Sequence, residues 1–202
     1  MASCTLRAMR STFLPRDAAR LFAGIPARWW VAGGWAIDLW LGRQTRDHID
    51  LDIAILRDEQ SIVRARLVAW DLHLAHDGDL TPLATSDRVD PPLHAVWCRP
   101  SVSDAWAFEL LMNDSSREEW LFRRDHDVRR PLAAIGRVND EEIPFLSPEI
   151  VLLFKAKNRR DVDETDLENT LPTLDGPRRL WLADALHRVH PSHEWIERLE
   201  DG

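Results

Sequence analysis

Several things are scarce in this chain. It has two cysteines, no tyrosine and only two lysines, Lys155 and Lys157. Cys4 and Cys98 make neither a disulfide framework nor a zinc set, so a reducing cytoplasm is the expected compartment. No apolar stretch approaches the roughly 20 residues of a membrane helix, so no membrane partner is expected. The opening MASCTLRAMRSTFLPRDAAR is broken by Arg7, Arg10, Pro15 and Arg16 and lacks the apolar run of a secretory signal. Basic residues are also in deficit, 26 against 34 acidic, and the net charge of −8 argues against a protein that coats nucleic acid. No repeat or low-complexity segment is visible. What remains is an ordinary globular composition, 45% hydrophobic and 30% charged over 202 residues, long enough to bury a core without disulfide staples.

The hydrophobic pattern changes character once. Trp29-Trp30-Val31-Ala32 reads as a short strand ending at Gly33-Gly34, and Trp35, Ala36, Leu39 and Trp40 then fall at helical spacing as far as Gly42. Acidic and apolar residues alternate from Ile49 to Leu56, which predicts a strand with one polar face. A helix is expected over 58–68, and strands over 70–75, 93–98, 105–112, 119–123 and 133–138. Beyond Pro144, Ser147-Pro148-Glu149 is a helix opening, with Ser as N-cap and Pro in the first turn. Helices are expected again over 163–173 and 177–189. The chain therefore reads as α/β over residues 1–145 and helical over 146–202.

One constellation carries chemistry. In a strand, Asp50 and Asp52 would project from one face with Cα atoms roughly 6.6 Å apart. Two such carboxylates repel unless a cation lies between them, and hard oxygen ligands suit Mg²⁺ or Mn²⁺. By itself such a pair is more often a solvated strand face than a metal site. Gly33-Gly34, between a strand and a helix, offers bare backbone N–H groups at a helix N-terminus, where phosphate binds; it is also an ordinary strand-to-helix turn. Arg43, Arg46 and His48 lie between these elements, within reach of phosphate oxygens. Glu109 interrupts the apolar run Trp106-Ala107-Phe108-Glu109-Leu110-Leu111, where a carboxylate needs a partner or a metal unless it faces solvent at an edge. Asp104 and Asp114 flank the same run and compete for the role of third acid. The arginines 123, 124, 129 and 130, with Glu118 and Glu119, read as a solvated hairpin. His187, His190 and His193 read as surface or tail packing, and Asp163 and Asp166 as partners of basic residues on a helix face.

The stretch from Val31 to Asp38, followed by Gly42-Arg43-Gln44-Thr45-Arg46-Asp47-His48-Ile49-Asp50-Leu51-Asp52, resembles small bacterial nucleotidyltransferases of the polymerase-β-like superfamily. It is similar in particular to the aminoglycoside and lincosamide nucleotidyltransferases. The resemblance continues through Leu153-Phe154-Lys155 and Asp163-Glu164-Thr165-Asp166-Leu167, and so spans most of the chain. It implies a mixed-sheet nucleotidyltransferase core (α/β, or α+β) with a C-terminal helical subdomain. It also implies metal ligation by Asp50 and Asp52, with Glu109 as third ligand or general base. Phosphate binding would fall to Gly33, Gly34, Arg46, His48 and Lys155. The third acid here is Glu where many members have Asp, and it lies far downstream of the pair.

The function so implied is transfer of a nucleoside monophosphate, AMP from ATP, to a hydroxyl of a small molecule such as an aminoglycoside or lincosamide antibiotic, assisted by Mg²⁺ or Mn²⁺. The alternatives are a toxin-type nucleotidyltransferase acting on tRNA or protein, a non-catalytic nucleotide-binding module, and a metal-dependent phosphohydrolase.

Overall fold

In the computed structural model, which describes residues 13–201, helix α1 (Pro15–Leu21) starts on Pro15, and the Asp17 carboxylate accepts from the backbone N–H of Leu14 (3.0 Å). Cys4, Arg7 and Arg10 lie outside the described residues. Strand β1 (Trp29–Val31) then turns through the glycines into α2 (Gly33–Leu41), which stops at Gly42 in the left-handed region (φ 67°). Strand β2 (Asp52–Leu56) and helix α3 (Gln60–Arg66) follow. Next come β3 (Asp71–His76), β4 (Asp79–Pro82), β5 (Ala95–Arg99) and β6 (Phe108–Ser116). Four short strands close the sheet region: β7 (Glu119–Leu121), β8 (Arg129–Pro131), β9 (Gly136–Val138) and β10 (Pro144–Leu146). Helices α4 (Pro148–Lys155), α5 (Asp161–Thr170), α6 (Gly176–Val189) and α7 (Trp195–Glu200) complete the chain.

The sheet is mixed, as the sequence implies. Its order is β4-β3-β5-β6-β2-β1-β10-β9, with β2–β6 and β1–β10 parallel and the other neighbours on this path antiparallel. β7 extends the far end of β6 and pairs with β8. β2 and β6 are therefore interior strands, and Ile53, Ala54, Ile55 and Leu56 are all buried. Strands covered on both faces lose the alternation of a half-exposed strand and become continuously apolar. On one side of Pro148 the core runs through Ile53 and Leu110; on the other it continues through Ile150, Leu152, Leu186 and Trp195. Ser147 does occupy the N-cap position of α4, although its side chain makes no capping bond. Among the described residues, no helix is long and apolar enough to cross a membrane.

The strand expected over 49–56 begins only at Asp52, and Asp50 is an exposed residue outside it. The reason is a lack of backbone partners. β1 ends at Val31, opposite Ile53, because the glycine turn diverts the chain into α2, and the β2–β6 pairing starts at Asp52 opposite Glu109. Leu51 supplies the first carbonyl of the ladder, to the N–H of Glu109 (2.9 Å). The sequence pattern gave no sign of α1, β4, β8, β10 or α7; each is short, and a period cannot establish itself in three to seven residues.

Candidate active site

Gly33 has φ +60°, a conformation that a Cβ would strain, and the same Cβ would overlap the carboxylate of Asp52. At Gly34 a Cβ would collide with the Arg46 guanidinium and lie 2.7 Å from the His48 ring. Three side chains of the following segment, Asp52, Arg46 and His48, thus press directly onto the turn. The glycines are needed for this close approach, and the approach seats Asp52 beside the N-terminus of α2, where backbone N–H groups lack helical partners.

Asp52 is paired in register with Glu109 on the adjacent parallel strand, so both carboxylates leave the same face of the sheet at its leading edge. Glu109 has a strand on each side, β2 and β5, so it is not an edge-strand acid. Asp50 lies two residues before Asp52, and both acids add to the field on Arg160, whose guanidinium is held above its ordinary pKa chiefly by its hydrogen bond to Asp163. The rival acids are placed elsewhere. Asp104 is exposed and accepts from Ser101 (2.7 Å), while Asp114, at the opposite end of β6, binds Arg57 (2.6 Å) and His126 (3.3 Å). Among the described residues, no group of three or more His, Cys, Asp or Glu side chains is arranged to hold a metal ion. Asp52 and Glu109 are brought together as register partners beside the glycine turn, whereas Asp50, outside β2, is not gathered with them into a three-carboxylate group. Two hard oxygen donors of this kind suit a divalent cation that keeps positions for phosphate oxygens or water.

The cations expected to meet phosphate have carboxylate partners of their own. His48 bonds Asp38 (2.5 Å) beneath the Trp35 ring, with ring centroids 4.3 Å apart. Thr45 adds two more donors to Asp38, its N–H (3.0 Å) and hydroxyl (2.5 Å). Burial alone would raise the Asp38 pKa, but the His48 and Thr45 hydrogen bonds outweigh it and hold the carboxyl below its usual range. Arg46 makes a two-bond fork with Asp166 (3.0 and 3.1 Å), and Lys155 bridges Asp163 (2.5 Å) and Asp166 (2.9 Å). Arg160 also pairs with Asp163 (2.9 Å). Burial pushes the Asp163 pKa up, yet the bonds from Arg160 and Lys155 bring it down to about 2. Asp163 and Asp166 are therefore structural anchors, as the helix-face reading expects, and they tie α5 to α4 and to the loop that carries Asp50.

A cleft of about 430 Å³ opens between the Asp52 face of the sheet and the helical region. Gly33, Asp52, Lys155, Arg160 and Asp163 line it, with Ala54, Leu111 and Phe154 as apolar wall. Gly34, Arg46, His48, Asp50 and Glu109 are not among its lining residues. Arg123 and Arg124 are, which corrects the reading of these arginines as a solvated hairpin. Trp120 and Phe122 are fully buried, and they draw the flanking arginines inward. The register reveals a second feature that the sequence pattern hid. Asp52, Glu109, Trp97 and His73 form one row across four strands, with Trp106 edge-on to Trp97 (5.6 Å) and His73 (5.2 Å).

The model of the aminoglycoside-2''-adenylyltransferase family matches residues 16–170. Among solved structures, one of ANT(2")-Ia in complex with adenylyl-2"-tobramycin superposes with a TM-score of 0.57 at 15% identity, covering 86% of this chain and 95% of that one. Lincomycin-bound LnuA, a lincosamide antibiotic adenylyltransferase, gives 0.52 at 17% identity, covering 75% and 90%. A nucleotidyltransferase-like antigenic protein from Paracoccidioides brasiliensis gives 0.50 at 16% identity, covering 96% and 94%. At these identities the structural likeness is one of fold. No curated protein matches the chain.

Proposed function

Because the chain belongs to the aminoglycoside-2''-adenylyltransferase family and is a nucleotidyltransferase, we propose that it moves AMP from ATP to a hydroxyl of an aminoglycoside or lincosamide antibiotic with the help of Mg²⁺ or Mn²⁺. The observation that carries this reading is the packing of Asp52 on Gly33, both lining a cleft of about 430 Å³, with Glu109 as the register partner of Asp52. The adenylyl-2"-tobramycin and lincomycin bound in the two solved structures support a small-molecule acceptor. The buried free thiol of Cys98 suits the cytoplasm, where such an acceptor would be met.

In this mechanism the Gly33–Gly34 turn and the first N–H groups of α2 hold phosphate oxygens. Asp50 and Asp52 would hold the divalent cation, which supplies charge neutralisation on the transferring phosphoryl group. Glu109 accepts the proton of the acceptor hydroxyl as it attacks the α-phosphorus, and pyrophosphate leaves. Lys155, fixed between Asp163 and Asp166, presents its ammonium at the cleft wall. Arg46 and His48 act through position: their pairs with Asp166 and Asp38 fix the loop that delivers Asp50.

The test is incubation with each labelled NTP, Mg²⁺ and a panel of aminoglycosides, lincosamides, tRNA and protein. Acceptor-dependent pyrophosphate release with an adenylylated antibiotic is the expected result. Acceptor-independent release of phosphate would establish the hydrolase instead, and labelled tRNA or protein the toxin-type enzyme.

A further inference from the structure

Beyond Ala54 and Leu111 the cleft changes character, and its wall there is formed by His94, Arg123, Arg124 and Lys157. Among the described residues, neither Arg123 nor Arg124 forms an ion pair, although carboxylates outnumber cations in the chain. Arg123 feels Asp114, but that carboxylate is already bonded by Arg57 (2.6 Å) and His126 (3.3 Å). Arg124 lies against the rings of Phe122 (5.5 Å) and Phe154 (5.6 Å), donates one long bond to the Phe154 carbonyl (3.3 Å), and leaves its buried Nε without a partner.

Half-buried guanidinium groups without a countercharge are costly, and this cost is visible throughout the patch. Burial, with Arg123 adding to it, depresses the Arg124 pKa to about 10. Burial also lowers the values of Arg123 and His94. Behind them, His190 is depressed by burial and by its neighbours His193, Arg124 and Lys157. The acids of the cleft, Asp52 and Asp163, form no ion pair with Arg123 or Arg124, and cations crowded without a bonded acid at this end of the cleft suit an anion that arrives from outside. Of the two substrates in the proposed reaction, an amine-bearing acceptor is repelled by such a wall and the nucleotide is drawn to it.

We propose that Arg123 and Arg124, with Lys157 and His94 beside them, form an anion subsite that grips the polyphosphate tail of the nucleotide, in addition to the Gly33–Gly34 turn. The assignment rests on the nucleotidyltransferase reading and extends it to residues outside the glycine turn and the carboxylate set. Arginine forks match phosphate geometry with two parallel bonds, so the pair selects triphosphate over monophosphate and retains the leaving pyrophosphate.

The experiment is calorimetric titration of the full chain, in Mg²⁺, with ATP, AMP and inorganic tripolyphosphate. It uses wild type, the double variant Arg123→Met/Arg124→Met, and the charge-preserving Arg123→Lys/Arg124→Lys. Methionine keeps the apolar stem against Phe122 and Phe154. Wild type is expected to prefer ATP to AMP and to bind tripolyphosphate in competition with ATP. The methionine variant should lose about tenfold or more in ATP and tripolyphosphate affinity while AMP binding holds. The lysine variant should recover part of that loss. If the methionine variant does not fold, the lysine variant carries the test alone through an ATP-to-AMP preference reduced but not abolished. An unchanged preference, or an equal weakening of ATP and AMP, would overturn the subsite and leave nucleotidyl transfer standing. A wild type that binds no nucleotide would overturn the proposed function itself.

Discussion

Asp52 and Glu109 stand directly opposite each other on neighbouring parallel strands, and the carboxylate of Asp52 fills the space where Gly33 has no side chain. One acid is therefore packed against the turn proposed to receive phosphate. The other is positioned by a strand that arrives much later in the chain. This division suggests different losses when each element is altered.

Asp50→Asn and Asp52→Asn should each lower acceptor-dependent pyrophosphate release by about a hundredfold or more, because each removes a charged cation ligand. The fold should persist, since neutralising one of two neighbouring acids relieves repulsion. Near-normal turnover in either variant would contradict the assignment.

Glu109→Gln keeps size and removes the base. Single-turnover transfer should slow by about 10²–10⁴-fold with nucleotide affinity nearly unchanged, as for lost acid–base catalysis. A parallel fall in Mg²⁺-dependent nucleotide binding would instead identify Glu109 chiefly as a metal ligand. Both quantities are measured on one preparation.

Gly33→Ala meets two penalties, a left-handed backbone and an overlap with Asp52. We expect a loss of about 1–3 kcal/mol in urea unfolding and a larger proportional loss of activity, because Asp52 must move. Alanine at Gly24, also at positive φ (+67°) but with nothing within 4 Å of its Cβ, is the control and should leave activity intact.

Asp166→Ala should be strongly destabilising. Asp166 is fully buried and accepts from both Arg46 and Lys155, so its removal strands Arg46 and leaves Lys155 with Asp163 alone. A loss of about 3 kcal/mol or more is expected from chemical unfolding. The loop delivering Asp50 should loosen with it, and hydrogen exchange over residues 43–50 would report that loosening.

Asp163 gives the pH dependence a sign. Its folded pKa is about 2 against an ordinary 3.8, so its contribution is fully present above the unfolded value and disappears as pH falls through the folded one. The stability gap between wild type and Asp163→Asn should be about 2 kcal/mol near neutrality and shrink below about pH 4. Taking the difference between the two proteins cancels the titration of the other carboxylates. A gap that widened on acidification would contradict the ion-pair reading.

The local parts of this protein were already legible in its residues. Gly33-Gly34 between a strand and a helix and the Ser147-Pro148 helix opening are both written in short segments, where neighbouring residues dictate backbone conformation; the strand expected to carry Asp50 with Asp52 starts only at Asp52, because its length depends on distant partners. The polarity of Glu109 within an apolar run marked it out, but only the pairing of β2 with β6 set it opposite Asp52. The tertiary structure alone decided which cations face the cleft. Arg46 and His48, adjacent to the motif in sequence, are taken up by the buried acids Asp166 and Asp38, while Arg123 and Arg124 are drawn in beside the buried Trp120 and Phe122. An arginine's sequence neighbourhood gives its charge and its reach. Which anion it meets depends on how distant strands and helices pack, because a buried charge is tolerated only where the completed fold or a ligand supplies its partner.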